Sequence, residues 1–382
     1  MSRLHVLLVP SSYPAPETPV RGLFMRDLAH AISLQNRVTV LAPPSATSPS
    51  DSLVDGIRTI RMREPSRQGR VATTQRLFSL NATVSRLRRE GTPVDILHAH
   101  HFGTGVLAVL VGRMRSLPVV ITENLSSTLA GNLTPYERRL ARFTYRGAAC
   151  VCPVSPLSEE QVRGLEPKGR YEVVPDVVDI DAFAATERRP TAGPVRQLLA
   201  VSNLVPRKGL ADLIDAVRLL MSDGREVALT VVGEGPQRAA LEARADGLPV
   251  ALVGARSRGE IVELLRDADV FAMPTLGDPF GIAAVEAFAA RVPVVVTSAA
   301  GSAALLGPLG ATVVAPGDPA ALHDALAEAL VARASVRIGA IDELREYCGV
   351  AAVGARLDCL YREVSARRRA RGVHQGARWT ER

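Results

Sequence analysis

Short apolar runs alternate with helical patterns along this chain, and the alternation starts afresh near residue 195. In the first half, Leu4–Val9, Arg37–Ala42, Val94–Ala99, Val119–Thr122 and Ala149–Pro153 read as strands, with shorter ones near Ile57–Arg61 and Tyr171–Val174. Helices are expected between them over Leu23–Leu34, Val71–Arg89, Thr104–Arg115, Pro135–Arg146 and Pro156–Gly164. The second half repeats the pattern with strands at Gln197–Ser202, Val227–Gly233, Val250–Gly254, Asp269–Met273, Val292–Thr297 and Thr312–Ala315. Helices over Leu210–Met221, Gln237–Ala245, Gly259–Arg266, Pro319–Ala332 and Val336–Tyr347 belong to this half. Strands that are apolar throughout and alternate with helices call for parallel sheets covered on both faces. The break between the halves is Ala184–Val195, polar, with two prolines and a glycine, which reads as a linker. A chain of 382 residues also suits two domains better than one. The expected class is therefore α/β, with a first domain over residues 1–185 and a second over 195–349. A last helix at 350–366 is expected to pack back on the first domain, and residues 367–382 to form a basic, disordered tail.

Composition removes several functions. Hydrophobic residues make up 47% and charged residues 22%, enough for a sizeable core. Four cysteines, two of them Cys150 and Cys152 on one strand-like run, make no disulfide or metal framework. Leu4–Val9 is too short for a signal segment and no apolar run reaches a membrane span, so a cytoplasmic protein is expected. Of the formal charge of +7, +5 lies from Arg362 onward, which leaves little basis for a nucleic-acid surface on the body. The first strand is followed by Pro10-Ser-Ser-Tyr-Pro14, with no G-x-G-x-x-G, so a nicotinamide oxidoreductase is a poor fit.

The candidate chemistry gathers where strands end. After Asp269–Met273 comes Pro274-Thr-Leu-Gly-Asp-Pro-Phe-Gly281 and then a helix in which Glu286 is the single carboxylate. Asp278 before Pro279 is an ordinary helix start. A helix beginning at a sheet's carboxyl edge also offers backbone N–H groups, here at Phe280, Gly281 and Ile282, to an anion. Glu286 then lies on the order of 10 Å from Asp278, the span of a ligand with phosphates between two hydroxylated rings. Lys208 is one of only two lysines among 46 basic residues, and it stands before Gly209 at a strand-to-helix turn, where a compact charge suits a diphosphate. Arg207 beside it is expected to face solvent, or to serve as a further cation. In the first half, His98 and His100 alternate on one face at a strand's carboxyl end, with His101 on the other. A histidine there is often a satisfied structural residue; the ligand edge makes His100 a candidate. Gly22, opening the first helix, lets a backbone approach a phosphate or is a plain turn glycine. Thr122, Glu123 and Asn124 end the next strand on the same edge.

Four segments carry a family resemblance: the P-x-x-x-D-P-F-G-x-x-x-x-E stretch, Val201-Ser-Asn-Leu-Val-Pro-Arg-Lys-Gly-Leu210, Val232-Gly-Glu-Gly-Pro236 and Val174-Pro-Asp-Val-Val-Asp-Ile-Asp-Ala-Phe183. In this order and spacing the chain, from Leu4 to about Val364, resembles the retaining, nucleotide-sugar-dependent glycosyltransferases of the GT-B fold, family 4 type. The resemblance implies two Rossmann-like domains facing each other across a cleft. It implies transfer of a sugar, with retention, from a UDP- or GDP-sugar donor to a glycan, lipid-linked or small-molecule hydroxyl acceptor, with no metal and no cofactor. Catalytic positions would be His100, Lys208 and Asp278. Donor binding would involve Gly22, Asn203, Arg207, Lys208, Asp278, Phe280, Gly281, Ile282 and Glu286, the last on the ribose hydroxyls. The chain departs from the pattern in having Asn203 where the family has Arg, Asp278 for the first Glu, Asp176 for an Asn, and Ala304 where a loop carboxylate is usual. Those departures keep open a catalytically silent partner of the same fold; a nucleotide-sugar epimerase is a second rival, which the loop pattern of the first half does not favour.

One helix raises the question of a membrane. Arg138, Arg139, Arg142 and Arg146 recur at spacings of three and four on Pro135–Arg146, beside Leu140 and Phe143. The pattern fits a solvated basic face, or a surface that docks at the inner face of a membrane through its arginines.

Overall fold

The computed structural model of the chain describes residues 3–66, 69–124, 131–189, 193–332, 336 and 338–377. Two parallel-sheet units account for them. The first has seven strands: β1 (His5–Val9), β2 (Arg37–Ala42), β3 (Asp51–Val54), β4 (Ile57–Arg61), β5 (Ile96–His100), β6 (Val119–Glu123) and β7 (Cys150–Pro153), in the order β3-β4-β2-β1-β5-β6-β7. All pairs are parallel except β3 with β4. Its helices are α1 (Leu23–Ser33), α2 (Arg70–Arg89), α3 (His101–Arg115), α4 (Pro135–Gly147) and α5 (Pro156–Leu165).

Side-chain alternation places the core. Val6 and Leu8 of β1 point to the face covered by α1 and the C-terminal helix, while Leu7 and Val9 point to the face covered by α2 and α3. Each such buried aliphatic side chain contributes about 1.5–3 kcal/mol. Local signals fix the helix starts. Thr134 and Glu137 form a reciprocal capping box at α4, with Pro135 in the first position.

The second unit has six parallel strands: β8 (Arg196–Val201), β9 (Val227–Val232), β10 (Val250–Gly254), β11 (Val270–Met273), β12 (Val294–Thr297) and β13 (Thr312–Val314), in the order β10-β9-β8-β11-β12-β13. Its helices are α6 (Ile180–Ala184), α7 (Leu210–Ser222), α8 (Arg238–Arg244), α9 (Arg258–Asp267), α10 (Ile282–Ala289), α11 (Ala303–Leu309), α12 (Pro319–Ala332) and α13 (Ile338–Cys348). Packing of α7 and α12 against β8, β9 and β11 buries Leu213, Val217, Leu322 and Leu326.

Several elements differ from the sequence reading. The segment between β2 and β4, where no strand was expected, holds β3, joined to β4 by an Asp55-Gly56 turn with both residues at positive φ. Tyr171–Val174 makes only a single bridge, Tyr171 to Val151. The chain passes into the second unit at 177/178, earlier than the expected linker, because α6 packs on α10 and α13. It returns to the first unit at 349/350. The C-terminal helix (Val350–Ala377) lies against α1, with Gly354 so close that a Cβ there would come 2.3 Å from Ala31 O. It continues past Ala366, where the tail was expected to begin; residues 378–382 of that tail lie outside the described residues. Among the described residues no helix is long and apolar enough to cross a membrane.

Candidate functional site

In the second sheet the strand order reverses between β8 and β11, so the loops leaving their carboxyl ends diverge and leave a crevice, the usual ligand position in open α/β sheets. The loop after β8 tightens into a 3-10 turn, Pro206–Lys208, and ends at Gly209. The loop after β11 carries Asp278. Lys208 Nζ donates to Asp278 Oδ2, and the two side chains are only 10% and 13% exposed. Asp278 Oδ1 accepts the Phe280 N–H at 3.1 Å. The loops are stitched together elsewhere as well. Leu276 N–H and Thr275 Oγ1 both donate to Arg207 O, at 2.7 and 3.0 Å, and Arg207 Nη1 donates to Gly277 O at 3.3 Å. Gly209 sits at φ +65°, and a Cβ would fall 1.9 Å from Pro274 O, so only glycine permits this approach. A nearly buried Lys–Asp pair adds little net stability, because desolvation offsets its Coulomb gain. It does keep both charges compensated while no ligand is present.

The helix expected to start at Pro279 starts at Ile282 instead, with Gly281 before it in the left-handed region at φ 94°. The Phe280 N–H, expected to face an anion, closes a turn on Asp278. The N–H groups of Gly281 and Ile282 open the helix and lack intrahelical acceptors. A third loop, after β12, holds Asp278 from outside. Asp278 N–H donates to Ala299 O at 3.0 Å, Gly301 N–H to Asp278 O at 2.9 Å, and Ser302 N–H to Phe280 O at 2.6 Å. The loop that lacks the family's carboxylate therefore acts through its backbone. Ser302, which the sequence reading passed over, is fully buried beside Gly281 with an unpartnered Oγ. A serine after a glycine gave no signal of this. Glu286 is half-buried on α10, and Asn203 is exposed on the β8 loop.

The first unit repeats the arrangement, with its order reversing between β1 and β5. His100, at the end of β5, has Nδ1 2.9 Å from Ser11 Oγ in the loop after β1, while Nε2 is buried without a partner. Burial holds the His100 imidazole well below its usual pKa, with His101 and His98 adding repulsion. Burial also lowers His101 to about 4 and His98 to about 3. His98, however, is a structural residue, bonded to Tyr361 Oη and to Thr122 Oγ1. Gly22 caps α1 at φ +80°, with the Ser12–Tyr13 backbone where a Cβ would be. Glu123 is buried and accepts the Phe102 N–H at 2.9 Å and the Tyr145 hydroxyl at 2.7 Å, so it fixes the start of α3. Asn124 Nδ2 donates to Asp176 Oδ1 at 3.4 Å.

Three of the four arginines expected to form a basic face on α4 have partners within the first unit. Arg138 bonds Leu133 O and Gly131 O, Arg142 bonds Leu165 O, and Arg146 pairs with Glu166, yet these three, like Arg139, remain exposed. Leu140 and Phe143 are half-buried and pack against the core.

Two family descriptions match successive parts of the chain: a glycosyl transferase 4-like domain over residues 22–176 and glycosyl transferases group 1 over residues 195–331. A phosphatidyl-myo-inositol mannosyltransferase from Mycobacterium tuberculosis is 31% identical over 283 residues, 71% of this chain and 70% of its own. The chain belongs to the group 1 glycosyl transferases. A glycogen synthase from the same species is 27% identical to this glycosyltransferase over 358 residues, 86% of each chain. Sucrose-phosphate synthase from Thermosynechococcus elongatus superposes with a TM-score of 0.77 at 19% identity, covering 95% of this glycosyltransferase and 100% of its own chain. Anabaena HepE, solved with UDP and glucose, gives 0.72 at 19% identity over 94% of this chain and 100% of its own. The fold is GT-B.

Proposed function

We propose that this glycosyltransferase moves a sugar from a nucleoside-diphospho-sugar to a hydroxyl acceptor with retention at the anomeric carbon and without a metal. The observation that carries the reading is Lys208 held against Asp278 at the reversal point of the second sheet, beside the opening N–H groups of α10. An ammonium has three donors, so Lys208 can keep one on Asp278 and turn the others to a diphosphate. The Gly281 and Ile282 N–H groups add the positive end of a helix. Together they stabilise charge as the bond from the anomeric carbon to the leaving phosphate oxygen breaks. The acceptor oxygen bonds to the anomeric carbon from the same face, and its proton passes to the leaving phosphate. Asp278 retains lone pairs for a sugar hydroxyl, and Glu286 receives the ribose hydroxyls. His100, neutral and with Nε2 buried without a partner, is the first unit's own candidate for holding a hydroxyl. HepE, with UDP and glucose, supports a nucleotide sugar as donor; the mannosyltransferase supports a lipid-linked acceptor. A cytoplasmic position, with contact at the inner membrane face, fits such an acceptor.

The test is turnover of a panel of UDP- and GDP-sugars with candidate acceptors in the presence of EDTA, with the product's anomeric configuration read by NMR. Nucleoside diphosphate release and a retained configuration are expected. An inverted product, or release that stops in EDTA and returns with a divalent cation, contradicts the mechanism. Intact fold with no turnover and tight nucleotide binding would favour the silent partner.

A further inference from the structure

A pocket of about 370 Å³ opens at the other end of the first sheet, where Pro118 leads into β6 and Ala149 into β7. Six cations line it: Arg113, Arg146, Lys168, Arg170, Arg367 and Arg368, with no carboxylate among the lining residues. Three carboxylates stand behind them. Glu166 pairs with Arg146, Glu363 with Arg170 and Arg367, and Glu172 lies 3.7 Å from Arg170. Arg113, Lys168 and Arg368 have no carboxylate partner among the described residues. Arg113 lies 4.9 Å over the Phe143 ring, Arg368 Nη1 lies 3.4 Å from Leu117 O, and Arg170 Nη1 is buried with no acceptor. Arg113 and Arg146 end α3 and α4, where cations ordinarily answer the helix dipole. Lys168 and Arg368 have no such duty. Lys168 is the other of the chain's two lysines, again a compact charge where the remaining basic residues are arginine.

We propose that this pocket binds a phosphoryl group, carried by a soluble phosphate compound or by a phospholipid headgroup. A phosphate dianion answers several cations at once and accepts hydrogen bonds from several directions, which a single carboxylate does less well. The volume is within the range of small-molecule sites. The pocket lies at the opposite strand ends from His100 and does not rest on the donor reading.

The experiment uses the full chain carrying Lys208→Ala, so that binding at the donor position does not confuse the signal. Pyrophosphate is titrated by calorimetry at constant ionic strength. Binding is expected, weakened about tenfold or more by Lys168→Glu, the scale of one lost charge-assisted contact. Arg368→Glu provides a second reading if Lys168→Glu fails to fold, and Arg139→Glu is the control for charge alone. A parallel arm floats the chain on phosphatidylcholine vesicles containing phosphatidic acid, or phosphatidylserine at equal charge. A phosphatidic acid preference lost in Lys168→Glu assigns the lipid source. Pyrophosphate binding without that preference assigns the soluble one. Absence of binding in both arms overturns the proposal, as does an equal loss in Arg139→Glu.

Discussion

Lys208 and Asp278, seventy positions apart, meet as an ion pair between the loops that leave β8 and β11. Asp278 is held from three sides: by the ammonium, by the Phe280 N–H, and by backbone bonds from the loop after β12. A site clamped in this way needs little rearrangement to meet a ligand, the condition under which electrostatic stabilisation is most effective. The pair also makes its members unequal to their neighbours in measurable ways.

Lys208→Ala should lower turnover about 10²-fold, the scale of removing one preorganised donor, while Arg207→Ala should cost less than tenfold. Arg207 already spends one donor on Gly277 O, and of the two cations Lys208 is the one paired with Asp278. Steady-state kinetics on both variants checks this. Equal, small losses would remove the diphosphate role from Lys208.

Asp278→Ala strands a nearly buried ammonium, so it should destabilise the chain by about 1–3 kcal/mol in urea unfolding. Adding Lys208→Ala should restore part of that loss, a coupling of about 0.5–3 kcal/mol. Strict additivity in the double variant would mean the pair is not formed in solution.

Glu286→Gln should weaken nucleotide-sugar binding by about 1–3 kcal/mol, the value of a charge-assisted bond in a sheltered site. Titration calorimetry reads it directly. Unchanged affinity with unchanged stability would remove Glu286 from the donor site.

Much of this was legible before the structure. Nearly uninterrupted apolar strands such as Leu4–Val9 required a parallel sheet. Lys208 stood out by the rarity of lysine and its place before Gly209, and Glu286 as the single carboxylate of an apolar helix; the structure sets Lys208 against Asp278 and leaves Glu286 half-buried. The Asp55-Gly56 hairpin was written in the sequence too, since paired positive φ values suit Asp-Gly, but the short polar β3 beside it lacks apolar alternation. Gly281 was read as part of a helix because Asp-Pro is a common helix start; its positive φ is a tertiary outcome, at a position where a Cβ would meet Met273 and Ser302. The Lys208–Asp278 contact depended on strand order, and no local pattern reports that. The arginines of α4 remain exposed, but the partners of Arg142 and Arg146, Leu165 O and Glu166, lie twenty or more positions away, and no local pattern reports them.

Gly209→Ala should cost about 2 kcal/mol or more, because strain at positive φ is joined by collision with Pro274 O. Gly224→Ala, at φ +76° with open space around it, should cost only about 1 kcal/mol. Thermal or urea unfolding of the two variants compares them. Equal costs would show that the two loops do not approach as described.

Acid should weaken the first unit through its buried histidines. His98 is buried with its pKa lowered to about 3, so the unfolded chain takes up the proton first as pH falls below about 6.5. The stability it contributes is complete above that pH and declines toward pH 3, by about 1.4 kcal/mol per pH unit. His100 shifts in the same direction. Urea unfolding at pH 7.5, 6 and 5 should show the slope, and His98→Gln should reduce it by about one proton. An unchanged slope in that variant would contradict the assignment.

The central claim is that the reversal point of the second sheet receives a nucleoside diphosphate on Lys208. Titration of UDP and of GDP into the parent chain and into Lys208→Ala, with EDTA present, tests it most directly. Saturable binding of at least one of them, weakened about tenfold or more in Lys208→Ala, is the result expected. Binding of neither nucleotide to a folded parent chain, or equal affinity in the two chains, would contradict it.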